Sequence, residues 1–200
     1  MTFEKKILAE MPKCYALGMF EGEDTPSFLA AVEKDGPIRR FTLDGEPLET
    51  VAPGPGGVMT ITQVPGRKDQ FLATRKFFSP NFGGDDAAIA SYTKQADGSW
   101  SEQILCDLPY VHRFGILKAA DGQLWVLACS IKGGAETGVK DDWRTPGAVW
   151  AAPLSDNLEQ YTADNQLKLT CVANYQVQNH GFWTALDKSY ALISTAAGVF

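Results

Sequence analysis

Apolar residues in this chain alternate with polar ones over short runs, and no stretch keeps an i, i+3, i+4, i+7 apolar spacing through several turns. The runs are rich in β-branched and aromatic residues and are separated by Gly, Pro and Asp-Gly pairs, which marks them as strands. A lone strand is predicted at Phe3–Ala9, then four at Tyr15–Phe20, Phe28–Val32, Ile38–Leu43 and Leu48–Ala52. Four more follow at Val58–Val64, Gln70–Phe77, Ala88–Tyr92 and Trp100–Cys106. A third set occupies Phe114–Lys118, Leu124–Ile131, Ala148–Ala152 and Leu167–Ala173, and the last two strands are Phe182–Leu186 and Ala191–Thr195. Helix is confined to single turns at Ala119–Gly122 and Asp156–Asn165.

Asp35-Gly36, Asp44-Gly45, Asp97-Gly98 and Asp121-Gly122 each fall between two predicted strands, where a tight hairpin needs positive φ. Within each set the second strand is the most apolar, as in Leu124–Cys129, and the fourth the most polar, as in Leu167–Cys171. A sheet buried in its middle and wet at its outer edge has that profile. First strands begin near Tyr15, Val58, His112 and His180, a spacing that starts close to the ~40–50 residues of a propeller repeat and then lengthens.

The chain therefore resembles the β-propeller superfamily at the level of architecture. The expected fold is all-β, a single segment over residues 1–200 with four-stranded antiparallel blades at about 14–55, 56–108, 110–175 and an incomplete 179–200. Neither a Gly-His/Trp-Asp pair nor a kelch double glycine followed by spaced aromatics is present, and Asp97-Gly-Ser-Trp100 resembles a sialidase Asp-box without meeting its spacing. About three and a half blades do not close a ring of ~4–8. The expectation is the N-terminal half of a longer propeller, closed through the lone first strand. A two-sheet sandwich is the competing fold, but it does not account for a polarity profile that repeats in fours.

Composition narrows the partners. With 18 basic and 24 acidic residues the net charge is −6, and no basic run or nucleic-acid motif is present. Glu4 and Glu10 interrupt any signal-peptide core, and no apolar run approaches the ~18 residues of a membrane span, so a cytoplasmic location is expected. Cys14, Cys106, Cys129 and Cys171 lack metal-knuckle spacing and read as buried thiols.

Sorting loops by the end of the blade they occupy puts the long ones, 79–86 and 133–147, on one side, where loops of more than ~12 residues are usually functional. Both histidines fall there, each in an His-x-Phe setting that opens a first strand: His112-Arg-Phe114 and His180-Gly-Phe182. Two imidazoles at a channel mouth suit acid–base catalysis or a divalent metal, with a third ligand to come from elsewhere. A packing repeat is the alternative. Arg75, Lys76, Arg113, Lys132 and Arg144 are expected on the same rim to bind an anion, with Trp143 to stack on a sugar ring. Asp85-Asp86 and Asp141-Asp142 occupy matching loops and offer oxygen ligands to a cation.

The resemblance to propeller lyases and hydrolases of uronate-type sugars implies an enzyme acting on a carbohydrate or related anionic metabolite. A non-catalytic scaffold is the second reading, with Phe78, Phe82 and Trp143 as contact anchors.

Overall fold

A computed structural model describes residues 4–23, 25–80, 83–134, 142–174 and 178–200. The first sheet holds β1 (Cys14–Glu21), β2 (Pro26–Val32), β3 (Ile38–Thr42) and β4 (Pro47–Ala52). The second holds β5 (Ile61–Gln63), β6 (Gln70–Arg75), β7 (Ala88–Lys94) and β8 (Trp100–Asp107). The third holds β9 (Val111–Lys118), β10 (Leu124–Ser130), β11 (Val149–Pro153) and β12 (Thr170–Ala173). The fourth has three strands, β13 (Gly181–Thr184), β14 (Ala191–Thr195) and β15 (Gly198–Val199). Every sheet is antiparallel in simple chain order. The sheets follow one another around a common axis as blades 1 to 4, not as two stacked layers. The innermost strands run alongside each other at the junctions, β1 with β5 and β9 with β13.

Burial explains the order within a blade. β6 and β7 sit between two neighbours and lie between packed blades, so they are buried along almost their whole length. The outer strand β12 is mostly exposed. Between blades 1 and 2 the core is aromatic. Phe20 meets Phe71 edge-on at 5.9 Å, and Phe71 stacks on Tyr92 at 5.0 Å.

The same junction buries an ion network. Arg40 is 1% exposed and has a partner for each nitrogen group: Nε donates to Ser27 Oγ (2.8 Å), Nη1 to Glu49 Oε1 (3.0 Å) and Nη2 to the Thr25 carbonyl (3.0 Å). Glu49 also accepts from Lys94 Nζ (3.0 Å) and Trp100 Nε1 (2.9 Å), and so fastens β4 of blade 1 to β7 and β8 of blade 2.

Three expectations are corrected. Residues 4–10 form no strand. Lys6 Nζ instead bonds the Asp44 carbonyl (2.9 Å), and Leu8 covers Gly45. The 58–60 and 167–169 stretches lie outside β5 and β12, and the fourth sheet gains β15. Cys106 and Cys129 are buried, but Cys14 and Cys171 are exposed. Among the described residues no helix is long and apolar enough to cross a membrane.

Candidate functional site

The loops entering β1, β5, β9 and β13 share a backbone device. Lys13, Gly57, Tyr110 and Gln178 all adopt left-handed φ (59°, 69°, 59° and 65°), and each lies three or four residues before an innermost strand or one residue before it. In the first three blades the carbonyl of that residue accepts from the backbone N–H at the end of the neighbouring strand: Glu33, Phe77 and Ile131. The loop is thereby pinned to the blade top.

Two residues beyond the left-handed position stand Tyr15, Met59, His112 and His180. These four, with Glu33, Phe77, Ile131 and Ala196 from the tops of the second strands, line one cavity of about 470 Å³ on the axis. Every blade contributes the same two positions. Pro80 and Trp143 from the long loops complete the rim.

Gly57 is the member of this set that must remain glycine. Its φ is left-handed, and a Cβ there would strike the backbone nitrogens of Lys76 and Phe77. Gly57→Ala is expected to cost about 2–4 kcal/mol, combining the left-handed penalty with overpacking. Urea unfolding measures it. A loss below about 1 kcal/mol would show that this loop relaxes freely.

The two imidazoles meet, with centroids 4.5 Å apart and planes tilted by 37°. His112 is 4% exposed, edge-on to Phe77 and to Tyr15, whose hydroxyl lies 3.4 Å from His112 Nε2. Among the described residues no hydrogen bond of normal geometry reaches the buried His112 Nδ1. Burial, then the Arg113 charge, then His180, holds the His112 pKa down to about 3. His180 is exposed, and partial desolvation followed by the Arg113 charge lowers its pKa too. At neutral pH both rings are free bases.

Arg113 lies below the pair. It donates to the Met59 carbonyl and to the Tyr15 hydroxyl (Nη2, 3.2 Å), and its guanidinium sits 5.2 Å from the Tyr15 ring centre. One side chain thus ties blades 1, 2 and 3 together around the axis.

The other expected rim residues are placed elsewhere. Arg75 turns along blade 2 to ion-pair with Glu102. Lys76 caps β6 in left-handed backbone and does not line the cavity. Lys132 is fully buried, donating to the Asp142 carbonyl (2.9 Å) between the rings of Tyr110 (4.7 Å) and Trp143 (5.1 Å). It clamps the base of its loop and is no ligand for a solute. Arg144 is engaged by Asp142, its Nε 2.8 Å from Oδ1. Asp85 accepts from the Tyr110 hydroxyl (3.0 Å). Trp143 lines the cavity but is half-buried over Lys132, so it is not a protruding anchor. Phe82, Lys140 and Asp141 lie outside the described residues.

Among the described residues no three His, Cys, Asp or Glu side chains gather where they could hold a metal. His112 and His180 supply two imidazoles, where catalytic zinc sites take three protein ligands.

No family model matches the chain, and no curated protein does. Among solved structures it is similar to hydrazine synthase from Kuenenia stuttgartiensis, at 11% identity and a TM-score of 0.54, over 88% of this chain and 48% of that one. The chain is built as a β-propeller. A structural genomics protein of unknown function from Bacteroides thetaiotaomicron matches at 13% identity and a TM-score of 0.42, over 90% of this chain and 52% of that one. This propeller chain thus spans about half the length of either, and the likeness to hydrazine synthase is one of fold.

Tyr15 and Met59 were not among the site residues expected from the sequence. The sequence marked Tyr15, and Val58 beside Met59, as first-strand starts equivalent to His112 and His180, and the shared offset from Lys13, Gly57, Tyr110 and Gln178 makes the equivalence exact.

Proposed function

We propose that the axial cavity binds a small anionic metabolite of the sugar-acid class and acts on it as a lyase. The observation that carries this reading is the pair of neutral imidazoles at equivalent positions of adjacent blades in a cavity of about 470 Å³. A free-base imidazole takes a proton, and the carbon next to a carboxylate gives one up in an elimination once a nearby positive charge neutralises that carboxylate. His180, open to the cavity, is the base. His112, held down to about 3, is too weak for that role and orients the pair. The Tyr15 hydroxyl is the group in reach to return a proton to a departing oxygen, and Arg113 beneath it supplies positive potential for the carboxylate.

Titration of galacturonate against galactose, read by tryptophan fluorescence through Trp143, tests the reading. The acid is expected to bind at least tenfold more tightly than the neutral sugar, and Arg113→Gln to weaken that preference. Equal affinity for the two sugars, or none for either, would reject it.

A further inference from the structure

Below the imidazole pair the axis holds two more cavities, and the innermost strands line them in order of descent. Tyr15 and Met59 stand in the walls of both the upper cavity and a middle one of about 250 Å³. Ile61 is shared in turn by the middle cavity and a lower one of about 560 Å³. All four blades enclose the middle chamber, blade 1 through Leu17, blade 2 through Ile61, blade 3 through Phe114 and blade 4 through Phe182.

Arg113 supplies the one charged side chain in that wall. It does not line the upper cavity, and it reaches His112 and His180 through its field. Two of its five N–H groups are engaged, by the Met59 carbonyl and the Tyr15 hydroxyl. Among the described residues no carboxylate pairs with it. A half-buried guanidinium without a counter-ion is electrostatically unfavourable, and an anion beside it relieves that state.

The lower cavity continues the axis toward the end of the blades opposite the histidines. Arg67, Lys68 and Lys188 line it against one carboxylate, Glu21. None of the three cations is ion-paired among the described residues: Arg67 donates to the Asp156 carbonyl (2.6 Å) and Lys188 to the Thr184 hydroxyl (3.3 Å). In a chain of net charge −6 this is a local reversal of sign, and it draws anions to the lower mouth.

We propose that the middle chamber binds a short-chain monocarboxylate, entered from the lower mouth, with its two oxygens on the Arg113 guanidinium and its alkyl tail among Leu17, Ile61 and Phe182. The planar arginine fork matches a pair of carboxylate oxygens. A single positive charge in a largely apolar wall favours a monoanion over sulfate or phosphate, whose second charge would be buried unpaired. The same wall favours a methyl or ethyl tail over the hydroxyls of a sugar acid. This site is separate from the upper cavity and does not rest on the lyase reading.

Sodium propionate, acetate and sulfate are titrated into the 200-residue protein at constant ionic strength, with the Arg113 Nε–H resonance as the reporter. Propionate is expected to saturate at millimolar concentration and to bind about threefold more tightly than acetate, the effect of one buried methylene. Sulfate is expected to bind at least about tenfold more weakly than propionate. Isotope-filtered Overhauser contacts from the propionate methyl group should reach Leu17 and Phe182. Leu17 is 67% exposed, so the fold tolerates a polar residue there. Leu17→Glu ties a carboxylate into the chamber wall and should abolish saturation, whereas Leu17→Gln, matched in shape but uncharged, should retain it. Contacts to Trp143 and Ile131 instead would put the anion in the upper cavity and overturn the proposal. A response still linear at about 100 mM propionate, sulfate bound as tightly as propionate, or equal binding by the two Leu17 variants would overturn it as well. Failure of galacturonate to bind would reject the lyase reading and leave this site standing.

Discussion

Glu49→Ala is expected to destabilise the protein by about 3–5 kcal/mol, the range for removing one partner of a buried charge pair. The reason is Arg40, which is 1% exposed and cannot turn to water when its carboxylate is lost. The same substitution strips the acceptor from Lys94 and from Trp100 Nε1, so blade 2 loses its tie to blade 1 along with the ion pair. Glu49→Gln keeps an acceptor oxygen and removes the charge, and should cost clearly less. Burial by itself would raise the Glu49 pKa, but hydrogen bonds from Trp100, Arg40 and Lys94 outweigh it and the net shift is downward. The stability from that shift is therefore full above the unfolded-state pKa and is lost as pH falls through the folded one. Urea unfolding of both variants at neutral pH is the measurement. A Glu49→Ala loss under about 1 kcal/mol would mean that water reaches Arg40 and that the network is ornamental.

The second large effect is on acidification. His112 has a folded pKa of about 3 against 6.5 unfolded, so between those values the unfolded chain binds a proton that the native protein does not. Stability should decline as pH drops below 6.5, by about 1.4 kcal/mol per pH unit from this group alone. Between pH 6.5 and pH 4.5 that amounts to about 2–3 kcal/mol. The window lies above the range in which Glu49 and other carboxylates with lowered pKa take up protons, which separates the two causes. His112→Asn removes the titrating group, and its stability curve should be flatter than that of the parent by that amount. Parallel curves would place His112 in contact with water.

The succession of hairpins was legible in the residues because each strand is short and locally marked. Asp44-Gly45, Asp97-Gly98 and Asp121-Gly122 hold the turns the sequence assigns them, with Gly45, Gly98 and Gly122 at positive φ. The predicted strand Phe3–Ala9 failed for the same physical reason. Alternation says that residues 4–10 are suited to pairing, but a strand exists only where another offers an edge. The two histidines were found because both carry the same His-x-Phe setting at the start of an innermost strand. Tyr15 was placed with them as a first-strand start but carries no ring that titrates near neutral pH to mark a site, and Met59 was assigned to its cavity position only by backbone geometry. The basic rim was read from loop position alone. Arg75, Lys132 and Arg144 reach that end of the sheets, but Glu102, Asp142 and the rings of Tyr110 and Trp143 claim their charges, and those partners are set by packing.

Local chemistry, then, settled what the chain could settle by itself: where strands begin and turn, which strand of each four is apolar, and that two imidazoles open adjacent blades. Turn propensity and side-chain alternation act over a few residues and need no knowledge of the rest. The radial stacking decided the remainder. It set His112 and His180 4.5 Å apart, buried Arg40 against Glu49, and enclosed Lys132 between two aromatic rings. Those contacts join residues far apart in the chain, and their energies exist only once the blades have packed.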